Sequence, residues 1–181
     1  MRLAVNPVRP AKFTVRMRIP GWAQGRPVPS DLYAYDDAAA PAWSVRVGAQ
    51  RCDGPLDRGF LVITGEWRAG DIIELEMALP VRTVRGHARI AATQERVAFE
   101  RGPLVYCVED VDFGGNLDAL VVTRAIRSGV ESRRLLSGLS VLTLEGLRAQ
   151  DRPVAPLTAI PYFAWNNRGT APMAVWLRRA P

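Results

Sequence analysis

The strongest constraint on this chain is a run of two-residue periodicity with a single break in it. Val97 and Phe99 share one side, and Ala98 and Glu100 share the other. After Gly102-Pro103 the alternation resumes, with Leu104, Tyr106 and Val108 opposite Val105, Cys107 and Glu109. A period of two belongs to extended backbone, so this stretch reads as a buried strand. Proline cannot donate to a β ladder, and glycine reaches backbone angles other residues avoid. The pair therefore predicts a bulge or bend inside the strand, where the chain passes an edge or changes sheet.

The same periodicity recurs elsewhere. Phe13, Val15, Met17 and Ile19 alternate with Thr14, Arg16 and Arg18, as expected of a strand with one face on a core. Pro20-Gly21 ends that run, and Trp22 follows at once. From Ala23 to Ala42 the pattern is lost, which predicts a long surface excursion anchored by Leu32, Tyr33 and Tyr35. Trp43, Val45 and Val47 alternate again. Phe60 to Trp67 and Ile72 to Leu79 flank Arg68-Ala69-Gly70-Asp71 and read as a hairpin. Later strands are expected at Ala119 to Thr123, Val130 to Leu136 (charged, hence at an edge), Leu139 to Leu144, Leu157 to Trp165 and Met173 to Leu177. Arg148 to Pro156 reads as a polar loop.

About ten short strands between Gly/Pro turns, with no amphipathic helix, predict an all-β, antiparallel β-sandwich of jelly-roll type. Residues 1–109 would form one sandwich; residues 110–181 would form a second, smaller one or complete the first.

The formal net charge of +6 raises the question of nucleic acid. Its distribution argues otherwise, because Lys12 is the only lysine and the arginines are spread singly along strands. No apolar run approaches a membrane span, and the first residues do not read as a secretory signal, which favours a cytoplasmic setting. Cys52 and Cys107 do not require a disulfide, and Cys107 fits a small buried apolar position.

Little catalytic vocabulary is present. Phosphate loops, His-Glu-x-x-His and Cys-x-x-Cys are all missing, and His87 is the only histidine. Asp36-Asp37 reads as a solvated loop pair. Glu100, Glu109, Asp110 and Asp112 are the carboxylates a glycosidase-type pair would draw on. Glu100 and Glu109 flank the bent strand and read as solvated partners of arginines.

Four segments together resemble the C-terminal part of the β-L-arabinofuranosidase family, glycoside hydrolase family 127. They are Arg18-Ile19-Pro20-Gly21-Trp22-Ala23, Trp67-Arg68-Ala69-Gly70-Asp71, Glu100-Arg101-Gly102-Pro103-Leu104-Val105-Tyr106-Cys107, and Ile160-Pro161-Tyr162-Phe163-Ala164-Trp165 followed by Asn167-Arg168-Gly169. The resemblance implies β-sandwich domains that follow an N-terminal (α/α)6 barrel. That barrel carries the family's cysteine nucleophile, a glutamate and a cysteine-rich zinc site. Neither Cys52 nor Cys107 lies in a catalytic motif, so no catalytic residue, cofactor or metal ligand is expected in this chain.

The chain is expected to buttress the barrel as a non-catalytic part of the hydrolase. Its implied partners are that barrel, a second copy in a homodimer and, through the parent enzyme, arabinose-containing glycans. Neither nucleic acid nor membrane is among them. Trp22 and Trp165 are the residues expected to touch sugar or barrel. A face meant for the barrel should be apolar and exposed. The competing readings are a carbohydrate-binding module acting alone, and an autonomous enzyme using Glu100 and Glu109.

Overall fold

A computed structural model describes residues 1–38, 42–123, 130–133, 138–148, 152–153 and 156–180. In chain order the first strands are β1 (Arg2–Val5), β2 (Ala11–Arg18), β3 (Tyr33–Tyr35), β4 (Trp43–Val47), β5 (Gln50–Arg51), β6 (Leu56–Asp57), β7 (Phe60–Trp67) and β8 (Asp71–Met77). They continue with β9 (Val81–Gly86), β10 (Arg96–Arg101), β11 (Leu104–Glu109), β12 (Val121–Val122), β13 (Val130–Arg133), β14 (Leu139–Leu144) and β15 (Gly146–Arg148). The last are β16 (Arg152–Pro153), β17 (Leu157–Pro161), β18 (Met173–Ala174) and β19 (Leu177–Arg179). One short helix, α1 (Asp110–Phe113), follows β11. The fold is all-β, with antiparallel sheets of sandwich type.

The strands divide between two units, one of residues 1–29 and 38–80, the other of residues 30–37 and 81–181. The break thus falls at Pro80/Val81 and not at residue 109. A cut at 109 would sever α1 from β11 and divide a single sheet, because β11 pairs with β10 on one side and with β17 on the other.

In the first unit, a sheet ordered β1-β8-β4-β5 accompanies one ordered β2-β7-β6. Met17, Ile19, Leu61, Trp67, Ile73 and Leu75 from both sheets meet in one buried cluster. The Trp67 indole N–H donates to the Phe13 carbonyl at 3.0 Å, which satisfies its polar edge. The expected hairpin of residues 60–79 is not one. β7 pairs with β2 and β6, whereas β8 pairs with β1 and β4. The turn itself is as tight as a hairpin turn, with Asp71 accepting from the Arg68 N–H at 2.7 Å. It carries the chain between sheets because both flanking strands already have partners of their own.

In the second unit β10 and β11 are the hub. Gly102-Pro103 does not bend one strand. It joins two antiparallel strands, with Arg101 opposite Leu104. Gly102 has φ +59°, and two-residue hairpin loops place glycine where that sign is needed. β10 then pairs with β9 along one part of its length and β19 along another. The other edge of β11 serves β17 and β18. The branched sheet closes over a core containing Phe99, Tyr106, Val108, Leu120, Leu142 and Leu157.

β9 lies in a stretch where the sequence pattern marks no strand. Its Arg82 is buried, which hides the alternation, and the guanidinium lies 3.7 Å from the Tyr35 ring centroid. The excursion holds β3, so Tyr33 and Tyr35 do anchor it through pairing with β9, whereas Leu32 is exposed. Expected strand Val130 to Leu136 appears as β13 at the end of the sheet order, and its residues 134–136 lie outside the described residues. Within the expected loop 148–156, β15 and β16 pair; residues 149–151 and 154–155 lie outside the described residues.

Leu142→Ala should lower stability by about 2–5 kcal/mol, since a fully buried leucine leaves a cavity. Val62→Ala on exposed β7 surface should stay within about 0.5 kcal/mol of the parent. Urea unfolding followed by circular dichroism distinguishes the two, and equal losses would contradict this assignment of the core.

Candidate functional site

Trp22 sits in a 3-10 turn, Gly21–Gln24, directly after β2. Gly25, at φ +83°, closes that turn by returning its N–H to Trp22. The indole is half-buried, packs on the core of the first unit and lines a cleft of about 350 Å3. Arg18, Arg26, Arg58, Gln24 and the Pro27–Pro29 segment complete the walls.

Trp165 is placed differently. β17 runs into a 3-10 turn, Tyr162–Ala164, whose outer side chains Tyr162 and Phe163 are exposed, Phe163 to 65%. The Trp165 ring stacks on Tyr162 with centroids 6.2 Å apart, and its N–H donates to the Ala171 carbonyl at 3.1 Å. Its donor is thus used internally, and the turn presents a small apolar aromatic surface.

What holds this turn is a buried ion cluster. The Arg168 Nε donates to Glu109 Oε2 at 2.8 Å, and its Nη2 also reaches that oxygen. The Arg168 Nη1 and Nη2 donate to the two oxygens of Asp112 at 3.0 and 2.5 Å. The Asn166 N–H donates to Glu109 Oε1 at 3.0 Å. Glu109 is completely buried, not solvated as expected, and its carboxylate accepts from Asn166 and Arg168 of the loop that follows. The guanidinium is held firmly protonated, first by its hydrogen bond to Asp112 and then by Glu109. A base or acid locked into such a fork has no free proton to exchange with a substrate, so the cluster is structural.

The other carboxylates are equally engaged. Glu100 accepts from the Tyr35 hydroxyl at 2.9 Å, and burial raises its pKa. Burial, followed by the Glu100 charge, raises that of Tyr35. Asp37 accepts from Arg82, and Asp36 pairs with Arg85 and Arg179, so the loop acids serve as arginine anchors. Asp110 caps the turn after α1 by accepting from the Gly115 N–H at 2.9 Å. His87 accepts from the Arg89 N–H through Nδ1 in a local loop.

Cys107 is 1% exposed and packs with Val141, Ile160 and Ala164; Cys52 is half-buried, and both are free thiols. Burial, and next the Glu109 charge, push the Cys107 thiol up to about 11, the opposite of what a nucleophile requires. Among the described residues no three His, Cys, Asp or Glu side chains are grouped to hold a metal.

Residues 1–79 match the β-L-arabinofuranosidase family 127 middle domain, and residues 81–178 match the glycoside hydrolase family 127 C-terminal domain. The chain belongs to glycoside hydrolase family 127. Its parts are that family's middle and C-terminal domains, and the seam between them coincides with the Pro80/Val81 break.

A non-reducing end β-L-arabinofuranosidase of Bifidobacterium longum subsp. longum is 31% identical over 90% of this chain. A family 127 β-arabinofuranosidase of solved structure superposes on 99% of the chain with TM-score 0.86 and 34% identity. The Geobacillus stearothermophilus T6 β-L-arabinofuranosidase does so with TM-score 0.81 and 32% identity. The chain spans 25% of the Bifidobacterium protein and 29% and 28% of the two solved chains.

Arg168→Met should cost about 3–5 kcal/mol, because it strands the Glu109 carboxylate in the core. Arg168→Lys should recover only part of this, since an ammonium cannot bridge two carboxylates with a planar fork. Chemical denaturation of the three proteins provides the check.

The native chain at pH 8 should label with a thiol reagent at Cys52 first, and at Cys107 only after unfolding in guanidinium. Above the ordinary value of 9.0 the unfolded Cys107 thiol loses its proton, while the folded one keeps it to about 11. Stability therefore falls as pH rises through that window, and Cys107→Ala should flatten the slope. Equal labelling rates in the native chain would contradict the burial.

Proposed function

We propose that this chain is the non-catalytic supporting part of a family 127 β-L-arabinofuranosidase. In this reading an (α/α)6 barrel supplies the nucleophile, the acid and the zinc, and acts on arabinose-containing glycans. The observation that carries the reading is the contiguous match of two named domains, middle and C-terminal, across almost the whole chain. Asp37, Glu109 and Asp112 are tied into arginine pairs and Cys107 is buried, which is consistent with it.

The aromatic turn gives this role a surface. Tyr162, Phe163 and Trp165 offer apolar area with no guanidinium or carboxylate among them, on a segment that the Arg168 cluster fixes. Such a patch suits a protein face better than water. We assign it to the barrel, with a second copy of the chain as the competing occupant.

The isolated chain should release no arabinose from a β-L-arabinofuranoside. When the chain is co-expressed with the barrel-forming remainder of the Bifidobacterium longum relative, the two should co-purify. Phe163→Ser should weaken that association at least about tenfold and leave the unfolding midpoint unchanged, as expected for an exposed interface aromatic. Turnover that survives purification and disappears on substitution of a residue in this chain would overturn the reading. Light scattering that showed a dimer dissociated by the same substitution would reassign the patch to self-association.

A further inference from the structure

The cleft beside Trp22 has a composition unlike the rest of its unit. Three guanidinium groups line it, those of Arg18, Arg26 and Arg58, and no carboxylate does. Several exposed arginines elsewhere in the unit sit beside acids, as in Arg51–Asp53 at 2.9 Å and Arg16–Asp57 at 2.5 Å. Among the described residues neither Arg18 nor Arg26 has such a partner. Arg18 donates to the Gly59 carbonyl at 2.9 Å, and Arg26 to the Gln24 side-chain oxygen at 3.0 Å.

Arg58 reaches Asp57 only at 3.4 Å with 89% of its side chain exposed, and Asp57 is held by Arg16 at 2.5 Å. The hydrogen bond from Arg16 keeps the Asp57 carboxyl below its ordinary range, so its charge is already engaged. The cleft thus gathers three guanidinium groups, of which, among the described residues, only Arg58 has a carboxylate near it, one shared with Arg16, and such a field attracts anions.

The backbone points the same way. β6 and β7 pair Asp57 with Phe60, leaving Arg58-Gly59 as a two-residue loop. Both loop residues have positive φ, +49° and +81°. A loop of this kind favours asparagine followed by glycine, so an arginine at the first position is strained. Glycine suits the second position because of its φ of +81°, and a Cβ there would displace the end of the Arg18 side chain. This strained position places the Arg58 side chain on the wall of the charged cleft. Trp22 adds an aromatic surface made rigid by its packing on the core.

We propose that this cleft binds a carboxylate-bearing sugar, a uronic acid residue of a glycan, as an ancillary site on the enzyme's middle domain. The guanidinium groups take the carboxylate, for which their planar fork is matched. Trp22 takes the apolar face of the sugar ring. An inorganic anion would use the arginines and leave the tryptophan without a role. A volume of about 350 Å3 suits one or two sugar rings. The choice of a sugar rests on the carbohydrate reading above, whereas the need for an anion does not.

The test is calorimetric titration of the full chain with the disaccharide of galacturonic acid, and with the neutral galactose disaccharide in parallel. The acidic ligand should bind at least about tenfold more tightly, the scale of one charged hydrogen bond. Trp22→Ala should abolish the binding. Arg58→Asn should weaken it about tenfold while leaving the unfolding midpoint equal or higher, since asparagine relieves the loop.

Equal binding of the neutral sugar would overturn the proposal, as would no heat at millimolar ligand or an Arg58→Asn protein with undiminished affinity. Binding of inorganic sulfate as tightly as the acidic sugar, insensitive to Trp22→Ala, would mean a simple anion site and would also overturn it. Co-purification with the barrel-forming part reads the supporting role separately, so either conclusion can fail without the other.

Discussion

The second unit depends on one half-buried guanidinium and the buried carboxylate it holds. Arg168 comes from a turn of Asn166, Asn167 and Gly169, yet it reaches the end of β11 and the short helix after it. Taking a carboxylate such as Glu109 fully out of water costs several kcal/mol, and the cost is recovered only if most of its lone pairs are matched. Here they are, by the forked guanidinium on one oxygen and the Asn166 N–H on the other. The result is geometric more than energetic: β11, α1 and the loop after the aromatic turn are held in one register. The segments marking the family in the sequence, Glu100 to Cys107 and Ile160 to Gly169, belong to β strands or turns that this cluster joins.

The strands were legible because a half-buried sheet repeats every two residues. Phe13 to Ile19, Trp43 to Val47 and Leu139 to Leu144 all showed that repeat, and all are strands or strand ends. Pairing was less legible, because partners are chosen by the whole sheet and not by the turn between neighbours. The Arg68–Asp71 turn has hairpin chemistry and still carries the chain to another sheet. Gly102-Pro103 looked like an interruption and is a hairpin. β9 escaped notice because Arg82, polar in the sequence, behaves as an aromatic-stacked core residue once Tyr35 covers it.

At the candidate site, composition located the aromatics but not their surroundings. Trp22 and Trp165 were singled out together, and the structure gives them different neighbours: guanidinium groups around one, a stacked aromatic ring against the other. Glu109 was read as solvated since nothing nearby in sequence announces a distant arginine. The signal available was Asn167-Arg168-Gly169, a turn with a conspicuous cation in it, and only the fold shows where that cation goes. The gathering of Arg18, Arg26 and Arg58 likewise requires the β6–β7 loop to fold back beside the end of β2.

The path of residues 30–37 constrains how this molecule could be assembled or shuffled. The chain leaves the first unit, lays β3 along β9 of the second, and returns to complete the first. The middle and C-terminal domain matches meet near residue 80, yet the second unit also takes residues 30–37 from within the first. A polypeptide beginning at Val81 would lack Tyr35 and Asp37, and the buried Arg82 would lose both its ring and its counter-ion. A working C-terminal unit therefore needs a strand that lies about 45 residues before its own first residue in the sequence.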